Sequence, residues 1–136
     1  MRRRDLVVIG AGLVVRRALF RVEAEAAGRG CTVLRRPLAE NDRAIAEGRT
    51  SGLAKLIIDR RGRVLGGGAL APAAGEMAGA LSLLIGKRGS VRALAALIVA
   101  YPTRFETFQK ASSNHYVSRL FRSGPRRLAQ LLVRLP

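Results

Sequence analysis

The chain has 136 residues, which suits one domain with a single core, and its 49% hydrophobic content is that of a globular protein rather than a disordered one. The net charge of +16 comes mainly from scattered arginines, with only 4% aromatic residues, and this pattern argues against specific nucleic-acid binding. One cysteine excludes an internal disulfide and a paired redox motif, and no apolar run approaches the roughly 20 residues that cross a membrane. We therefore expect a cytoplasmic protein without a membrane span.

The first third of the chain alternates short strands with loops. Residues 5–9 are aliphatic and mostly β-branched before a glycine, which predicts a short buried strand. A short helical stretch follows at residues 23–27 and is stopped by glycines. Residues 32–38 again predict a strand, with Pro37 marking an edge or bulge, and the polar stretch 39–50 suggests a bent strand and loop.

The clearest β pattern spans residues 53–70. Apolar alternation on both sides of the turn at residues 59–62 predicts a hairpin. Three consecutive glycines, residues 66–68, fall in the returning strand and indicate a bulge or a close approach of another backbone. A phosphate cradle is the weaker interpretation, because no Gly-Lys-Ser/Thr sequence follows the glycines.

After Pro72 the pattern becomes helical. Apolar residues at i, i+3 and i+4 predict a first helix that ends at Gly86 or Gly89, and its inner face carries Met77, Ala80, Leu81, Leu84 and Ile85. Ser90 is a candidate cap for a second helix, whose apolar residues are Leu94, Leu97 and Ile98. A hairpin followed by helices predicts an α+β domain.

Two further helices are predicted after Pro102. Thr103 and Glu106 have the Thr-x-x-Glu form of a capping box for a third helix that runs to about Leu120. Residues 125–135 place leucines on one face and arginines elsewhere, which predicts an amphipathic helix. That helix packs on a partner subunit or, less economically, lies on an anionic membrane.

Two isolated residues carry little chemistry by themselves. Cys31 is the only cysteine and lies near Val33, so we expect a small buried hydrophobe rather than a redox thiol. His115 is the only histidine and lies far along the third predicted helix, where an ordinary helix-surface role is expected. Neither residue predicts a metal site.

Several short segments occur in an order that is specific as a set. They are PLAENDR (37–43), GLAKLIID (52–59), RVLGGG (63–68), AGE (74–76) and YPT (101–103), followed by Glu106. Together they resemble the C-terminal dimerisation domain of the FAD-dependent pyridine nucleotide-disulfide oxidoreductases, in the branch of mercuric reductase and dihydrolipoamide dehydrogenase. The resemblance covers residues 21–136 and implies an antiparallel sheet flanked by helices.

In that family the domain pairs two subunits, and the loop before its third helix reaches the flavin of the partner. The resemblance places this loop at Tyr101, Pro102 and Thr103, with FAD as the family cofactor. Many relatives have a histidine before the proline, paired with the following glutamate as an acid or base toward redox thiols, and Tyr101 and Glu106 occupy these positions here. A phenol with a pKa of about 10 is mostly protonated at neutral pH, so it donates a hydrogen bond but is a poor proton acceptor.

The N-terminal stretch resembles a different part of the same family. Gly10 and Gly12 follow the first predicted strand, as at the start of an FAD fingerprint, where glycines let the backbone approach a pyrophosphate. Val15 stands at the third glycine position, and Arg35 and Arg36 stand where an acid should bind the ribose. A strand and a glycine turn by themselves do not enclose a dinucleotide.

The expected organisation is a fingerprint remnant at residues 1–20 joined to a dimerisation domain at residues 21–136, without the FAD domain, the NAD(P) domain or the redox cysteine pair. The leading hypothesis is a homodimeric interface module that is inactive alone and binds no FAD by itself. Self-association is expected to use the sheet and the helices after Pro72, where apolar surface is exposed. Two alternatives stay open: part of a split flavoenzyme with separately encoded domains, or a basic module that binds nucleic acid or an anionic membrane.

Overall fold

The computed structural model describes residues 6–9 and 30–120. Its elements in chain order are β1 (Leu6–Ile9), β2 (Thr32–Pro37), a 3-10 turn (Leu38–Glu40), α1 (Asp42–Ala46), β3 (Leu53–Ile58), β4 (Val64–Leu70), α2 (Ala74–Gly86), α3 (Val91–Ala95) and α4 (Glu106–Leu120). The strands form one sheet in the order β1-β4-β3-β2, in which β2, β3 and β4 are antiparallel neighbours. Helices pack on this sheet, which confirms the predicted α+β class.

The β3–β4 hairpin forms where the alternating pattern predicts it. Asp59 fixes its turn, since Oδ1 accepts hydrogen bonds from the backbone N–H groups of Arg61 and Arg63, each at 2.9 Å. Its Oδ2 accepts a further bond from Arg63 Nε at 2.9 Å. Gly62 completes the turn at φ +76°, a conformation that residues with a Cβ rarely adopt. The turn is therefore specified by residues within the turn itself.

The glycines of β4 have a packing role. The register between β3 and β4 shifts beside Leu65, immediately before the glycines, so a bulge lies next to the run. A Cβ on Gly67 would lie 2.8 Å from the Lys55 carbonyl oxygen and 3.0 Å from Leu81 Cδ2. The missing side chain lets α2 approach the sheet closely, which confirms the interpretation of the glycines as a packing feature.

The core lies between the sheet and its helices. α2 packs against β4 and β1, whereas α4 packs against β2 and β3. Alternate residues of β3 belong to this core, together with the fully buried side chains of Leu38, Leu81, Val91 and Phe108. The predicted inner face of α2 is confirmed at Met77, Leu81 and Ile85, which are at most 5% exposed, but Ala80 is exposed.

The predicted bent strand at residues 39–50 is wrong, because the chain forms the 3-10 turn and α1 there. Asn41 caps α1, and its Oδ1 accepts a hydrogen bond from the Ala44 N–H at 3.0 Å. Asp42 follows in the first turn, where the positive end of the helix dipole favours an acid. Ala44 is fully buried, so this short helix contributes to the core.

The second predicted helix is shorter than predicted. Ser90 caps α3 as expected, with its Oγ accepting a hydrogen bond from a backbone N–H of the first turn at 3.2 Å. The helix ends at Ala95, so Leu97 and Ile98 follow it and are 42% and 96% exposed instead of packing inward. Gln109 Nε2 donates a hydrogen bond to the Leu97 carbonyl oxygen at 2.9 Å and ties this segment to α4.

The predicted N-terminal strand is confirmed as β1, which pairs in parallel with β4 and places Leu6 beside Gly66. It therefore extends the same sheet as the hairpin. The helices predicted at residues 23–27 and 125–135 lie outside the described residues. Within residues 6–9 and 30–120, every helix is too short or too polar to cross a membrane.

Candidate functional site

The segment between α3 and α4 ends in a loop at residues 101–105, which carries Tyr101, Pro102 and Thr103, three of the candidate site residues. Tyr101 is 71% exposed, and its peptide bond to Pro102 is cis. Thr103 is partly buried, and Glu106, the first residue of α4, is 7% exposed. The loop thus faces solvent at its start and the protein interior at its end.

Asn41 fixes the position of this loop. Its fully buried side chain donates a hydrogen bond from Nδ2 to the Thr103 carbonyl oxygen at 2.9 Å, while its Oδ1 caps α1. The two residues are 62 positions apart in the sequence. One buried amide therefore satisfies both a helix N-terminus and the loop backbone, so the loop and α1 are positioned together.

Charged side chains form a second link between α1 and the loop. Lys110 Nζ lies 3.1 Å from Asp42 Oδ2 and 2.9 Å from Glu106 Oε1, so one ammonium bridges two carboxylates. The Tyr101 phenol interacts with the Asp42 carboxylate, and each group shifts the pKa of the other. We call this chain of four side chains, in the order Tyr101, Asp42, Lys110 and Glu106, the Tyr101 network.

The Tyr101 network changes the proton affinity of its members. The hydrogen bond to Asp42, followed by the negative charge of that carboxylate, raises the pKa of the Tyr101 phenol above its ordinary value. The hydrogen bond to Glu106 raises the pKa of Lys110, and the hydrogen bond from Lys110 lowers the pKa of Asp42. At neutral pH the phenol is therefore protonated, the lysine is charged and Asp42 is ionised.

The predicted capping box is wrong. α4 begins at Glu106, and Thr103 Oγ1 has no hydrogen-bond partner among the described residues. At the start of α4, the Thr107 N–H instead donates a hydrogen bond to the Arg104 carbonyl oxygen at 3.1 Å. Glu106 does not reach back to residue 103, because its Oε1 pairs with Lys110 one helical turn further on.

A cleft of about 230 Å³ opens beside the loop. Its wall is apolar at Ala73, Met77, Pro102 and Phe105, and polar at Arg43, Glu76, Thr103 and Arg104. Arg43 and Arg104 both pair with Glu47, so the two guanidiniums share one counter-charge. Pockets for drug-sized ligands usually span about 300–1,000 Å³, so this cleft is small for a dinucleotide.

The other sequence candidates have different surroundings. Cys31 is partly exposed rather than buried, because it immediately precedes the edge strand β2. His115 is partly buried on α4, where its ring makes an edge contact with Tyr116 at a centroid distance of 5.4 Å. Across residues 6–9 and 30–120, His, Cys, Asp and Glu form no group of three or more that could bind a metal ion. Gly10 and Gly12 lie outside the described residues.

Comparison with known proteins decides the family. The model of the pyridine nucleotide-disulphide oxidoreductase dimerisation domain matches residues 19–112. The chain belongs to this family. Members of the family depend on FAD, and this domain pairs their subunits into homodimers. The mercuric-reductase-like branch stays a prediction, and comparison with curated proteins found no match.

Solved structures of two pyridine nucleotide-disulfide oxidoreductases contain the same dimerisation fold. LpdA from Mycobacterium tuberculosis superposes with a TM-score of 0.64 at 25% sequence identity, covering 70% of this chain and 21% of LpdA. The HOCl-induced flavoprotein disulfide reductase RclA from Escherichia coli, solved as a Cu(II) complex, gives a TM-score of 0.60 at 25% identity, covering 68% of this chain and 21% of RclA. The chain therefore matches about a fifth of the length of these relatives.

Sequence reasoning missed three residues of the dimerisation domain that surround Tyr101. Asn41 and Asp42 had a usable signal, since an Asn-Asp pair before helix-forming residues is typical of an N-cap and an acidic first turn. Lys110 follows Glu106 at the i, i+4 spacing of a helical ion pair. No local pattern, however, predicts that α1 meets the loop at Tyr101.

Proposed function

We propose that this dimerisation domain self-associates through the segment that follows α3, and that its Tyr101 loop would face the flavin site of the partner subunit in an assembly that includes flavin-carrying domains. In this assignment Tyr101 and Glu106 take the positions of the family's acid/base pair. Pro102 and Thr103 form the loop that approaches the flavin. The observation that carries the proposal is an exposed apolar surface directly beside this loop.

We define the loop patch as Leu97, Ile98 and Tyr101. Ile98 is 96% exposed and Tyr101 is 71% exposed, although both side chains are large and mostly apolar. Burying one such side chain contributes about 1.5–3 kcal/mol of favourable free energy, which favours association. A second copy of the chain is the proposed occupant, because this domain pairs subunits in the family and the patch includes Tyr101 at the start of the loop.

We further propose that the chain does not bind FAD by itself. The cleft beside the loop measures about 230 Å³. β1, which precedes Gly10 and Gly12, is an edge strand of the sheet and pairs with β4. A dinucleotide site of the Rossmann type needs a parallel βαβ unit. The described strand that pairs in parallel with β1 is β4, and β4 follows β3 in an antiparallel hairpin, so the described residues do not form such a site. Redox chemistry then belongs to an assembly that includes flavin-carrying domains. A single cysteine agrees with a reducing, cytoplasmic compartment.

Sedimentation of the purified chain at several concentrations tests this function. The protein and flavin absorbance bands are recorded together, and a colourless dimer is expected. A colourless monomer at every concentration would contradict self-association. A flavin band that moves with the chain would instead contradict the proposal on FAD and would restore Gly10 and Gly12 as cofactor-binding candidates.

Two single substitutions locate the interface. Ile98→Asp places a carboxylate in the loop patch and is expected to weaken the dimer at least tenfold, or about 1.4 kcal/mol. Leu83→Asp is the matched control, because Leu83 is 62% exposed but belongs to α2. If Leu83→Asp dissociates the dimer while Ile98→Asp leaves it intact, the interface lies on α2 and the loop patch is the wrong surface.

A further inference from the structure

Two turns at one end of the sheet are hydrogen-bonded to each other. One is the turn of the β3–β4 hairpin, and the other is the turn between α2 and α3. The Val91 N–H donates to the Gly62 carbonyl oxygen at 2.8 Å, and the Val64 N–H donates to the Gly89 carbonyl oxygen at 3.0 Å. Two segments that are distant in the sequence therefore form one surface.

These two turns carry five exposed cations. They are the exposed basic residues of segments 59–63 and 86–92, and we call them the basic patch: Arg60, Arg61, Lys87, Arg88 and Arg92. Within residues 6–9 and 30–120, no carboxylate forms an ion pair with any of them. The one acid of the two segments, Asp59, pairs with Arg63. Arginines that are scattered in the sequence thus form a concentration of positive charge in the fold.

Arg88 lies where the backbone favours glycine. Its φ is +54°, and it follows the C-cap of α2, where its N–H donates to the Ile85 carbonyl oxygen at 2.9 Å. The next N–H, that of Gly89, donates to the Leu84 carbonyl oxygen at 2.8 Å, which completes a Schellman motif. This motif usually has glycine in place of Arg88, because a Cβ disfavours the left-handed conformation. The guanidinium is therefore present at a position where it destabilises the fold relative to glycine.

We propose that the basic patch binds the phosphate backbone of a nucleic acid without sequence preference. Four of its five cations are arginines, and a guanidinium donates two parallel hydrogen bonds to phosphate oxygens. Segments 59–63 and 86–92 contain no exposed large apolar or aromatic side chain. The basic patch therefore has no ring for base stacking, no apolar face for a membrane and no apolar core for a protein interface.

The basic patch lies at the opposite end of α2 from the cleft beside the Tyr101 loop. Ala73, which lines the cleft, immediately precedes α2, whereas Lys87 follows it. α2 has 13 residues, and a helix of that length spans about 20 Å. A bound strand thus leaves the Tyr101 loop accessible, so this binding does not depend on the proposed dimer.

Fluorescence anisotropy of a labelled single-stranded deoxythymidine oligomer, titrated with the full chain at several salt concentrations, tests the basic patch. On a single strand, the logarithm of the association constant falls with the logarithm of salt concentration by about 0.7 for each phosphate contacted. Replacing two cations together, Arg60→Gln with Arg61→Gln, should reduce this slope by about 1.4. The same double variant should weaken binding at least tenfold at low salt.

Arg49→Gln is the matched control for the loss of charge. Arg49 is also exposed and forms no ion pair with a described residue, but it precedes β3, whose other end leads into the hairpin turn. Its substitution should leave the salt slope unchanged. An equal fall in slope in Arg49→Gln would mean that the net charge of +16 binds the oligomer, and it would overturn the basic patch. Absence of binding at low salt would overturn it as well.

Arg88→Gly separates a binding role from a structural one. Glycine relieves the left-handed conformation, so this variant should unfold at a higher urea concentration and still lose about 0.7 of the slope. A stabilised Arg88→Gly chain with an unchanged slope would overturn the proposal. If circular dichroism shows the double variant at residues 60 and 61 unfolded, Arg88→Gly decides.

An anionic membrane is the competing partner, because Leu83 is 62% exposed and lies one turn of α2 before Lys87. Vesicles of phosphatidylserine and phosphatidylcholine are therefore added to the complex of chain and oligomer at equal phosphate concentration. Retention of the oligomer supports the proposal. Its release to solution, with the chain bound to the vesicles, would assign the basic patch to a membrane and overturn nucleic-acid binding.

Discussion

The hairpin and the Tyr101 site are built from contacts of very different range. In the hairpin, Asp59 bonds to residues two and four positions away. At the site, Asn41 bonds to a residue 62 positions away, and Asp42 bonds to one 68 positions away. Long-range contacts form only after more of the chain has lost its conformational freedom. We therefore expect the site to open before the hairpin does.

The largest expected effect comes from Gly52→Ala, which introduces a side chain at the start of the β3–β4 hairpin. Gly52 joins the segment that carries α1 to β3 at φ +147°, and a Cβ there would lie 2.2 Å from the Leu70 carbonyl oxygen. A side-chain rotation cannot relieve a clash with backbone, so the β3–β4 pair must shift. We expect a loss of about 3 kcal/mol in the free energy of unfolding, measured by urea denaturation.

Gly79→Ala is the control for that substitution. Gly79 lies exposed within α2, and a Cβ there would meet nothing within 4 Å. Alanine is the better helix former, so this change should stabilise the chain by about 0.5–1 kcal/mol. A small effect of Gly52→Ala, comparable to that of the control, would mean that the start of β3 adapts easily and that the hairpin is not a rigid frame.

The second prediction removes the long-range contact instead. Asn41→Ala loses the cap of α1 and the hydrogen bond to the Thr103 carbonyl oxygen, at an expected cost of about 2–3 kcal/mol. Ser90→Ala is the matched control, because it removes only the cap of α3 and should cost about 1 kcal/mol. The difference between the two losses, measured by denaturation, reports on the bond to the loop.

Hydrogen exchange on the same variant sharpens the comparison. In Asn41→Ala the amides of the first turn of α4 should exchange faster, whereas those of β3 and β4 should change little. Equal loss of protection in both regions would show that they unfold as one unit. The Tyr101 site would then not open independently of the β3–β4 hairpin.

The same difference in range explains what the sequence could predict. The hairpin follows from apolar alternation and from the turn residues, and the buried face of α2 follows from helical spacing. α1 was missed because it has only five residues in a polar stretch, too few to show a helical period. The contacts of Asn41 and Asp42 with the loop lie beyond any local pattern, since they depend on how α1 and α4 pack.

The end of α3 shows a second feature that helical spacing does not predict. Leu94, Leu97 and Ile98 share helical spacing, yet only Leu94 is buried, at 2% exposure. The helix ends at Ala95 without a glycine or proline to signal it. Spacing alone therefore does not distinguish an apolar face that fills the core from apolar residues that stay on the surface.

The smallest expected effect is the loss of stability of the hairpin and of the Tyr101 site as the pH falls. At Asp59 burial acts to raise the pKa, but hydrogen bonds from Arg63 and Arg61 outweigh it, and the pKa is lowered overall. At Asp42 the hydrogen bond from Lys110 lowers the pKa. A carboxylate with a lower pKa in the folded state stabilises it above the unfolded-state pKa, and this contribution is lost as the pH falls through the folded-state pKa.

Both regions should therefore lose stability as the pH falls below the ordinary aspartate pKa of 3.8. Asp59→Asn should make the stability of the hairpin, measured at its amides, less dependent on pH. Asp42→Asn should do the same for the loop and the first turn of α4. Amide hydrogen exchange between about pH 2 and pH 5 measures the loss of stability in each region separately. If Asp42→Asn also flattens the response of the hairpin, the charge on α1 stabilises the whole domain, and the local hairpin is not independent of the long-range site.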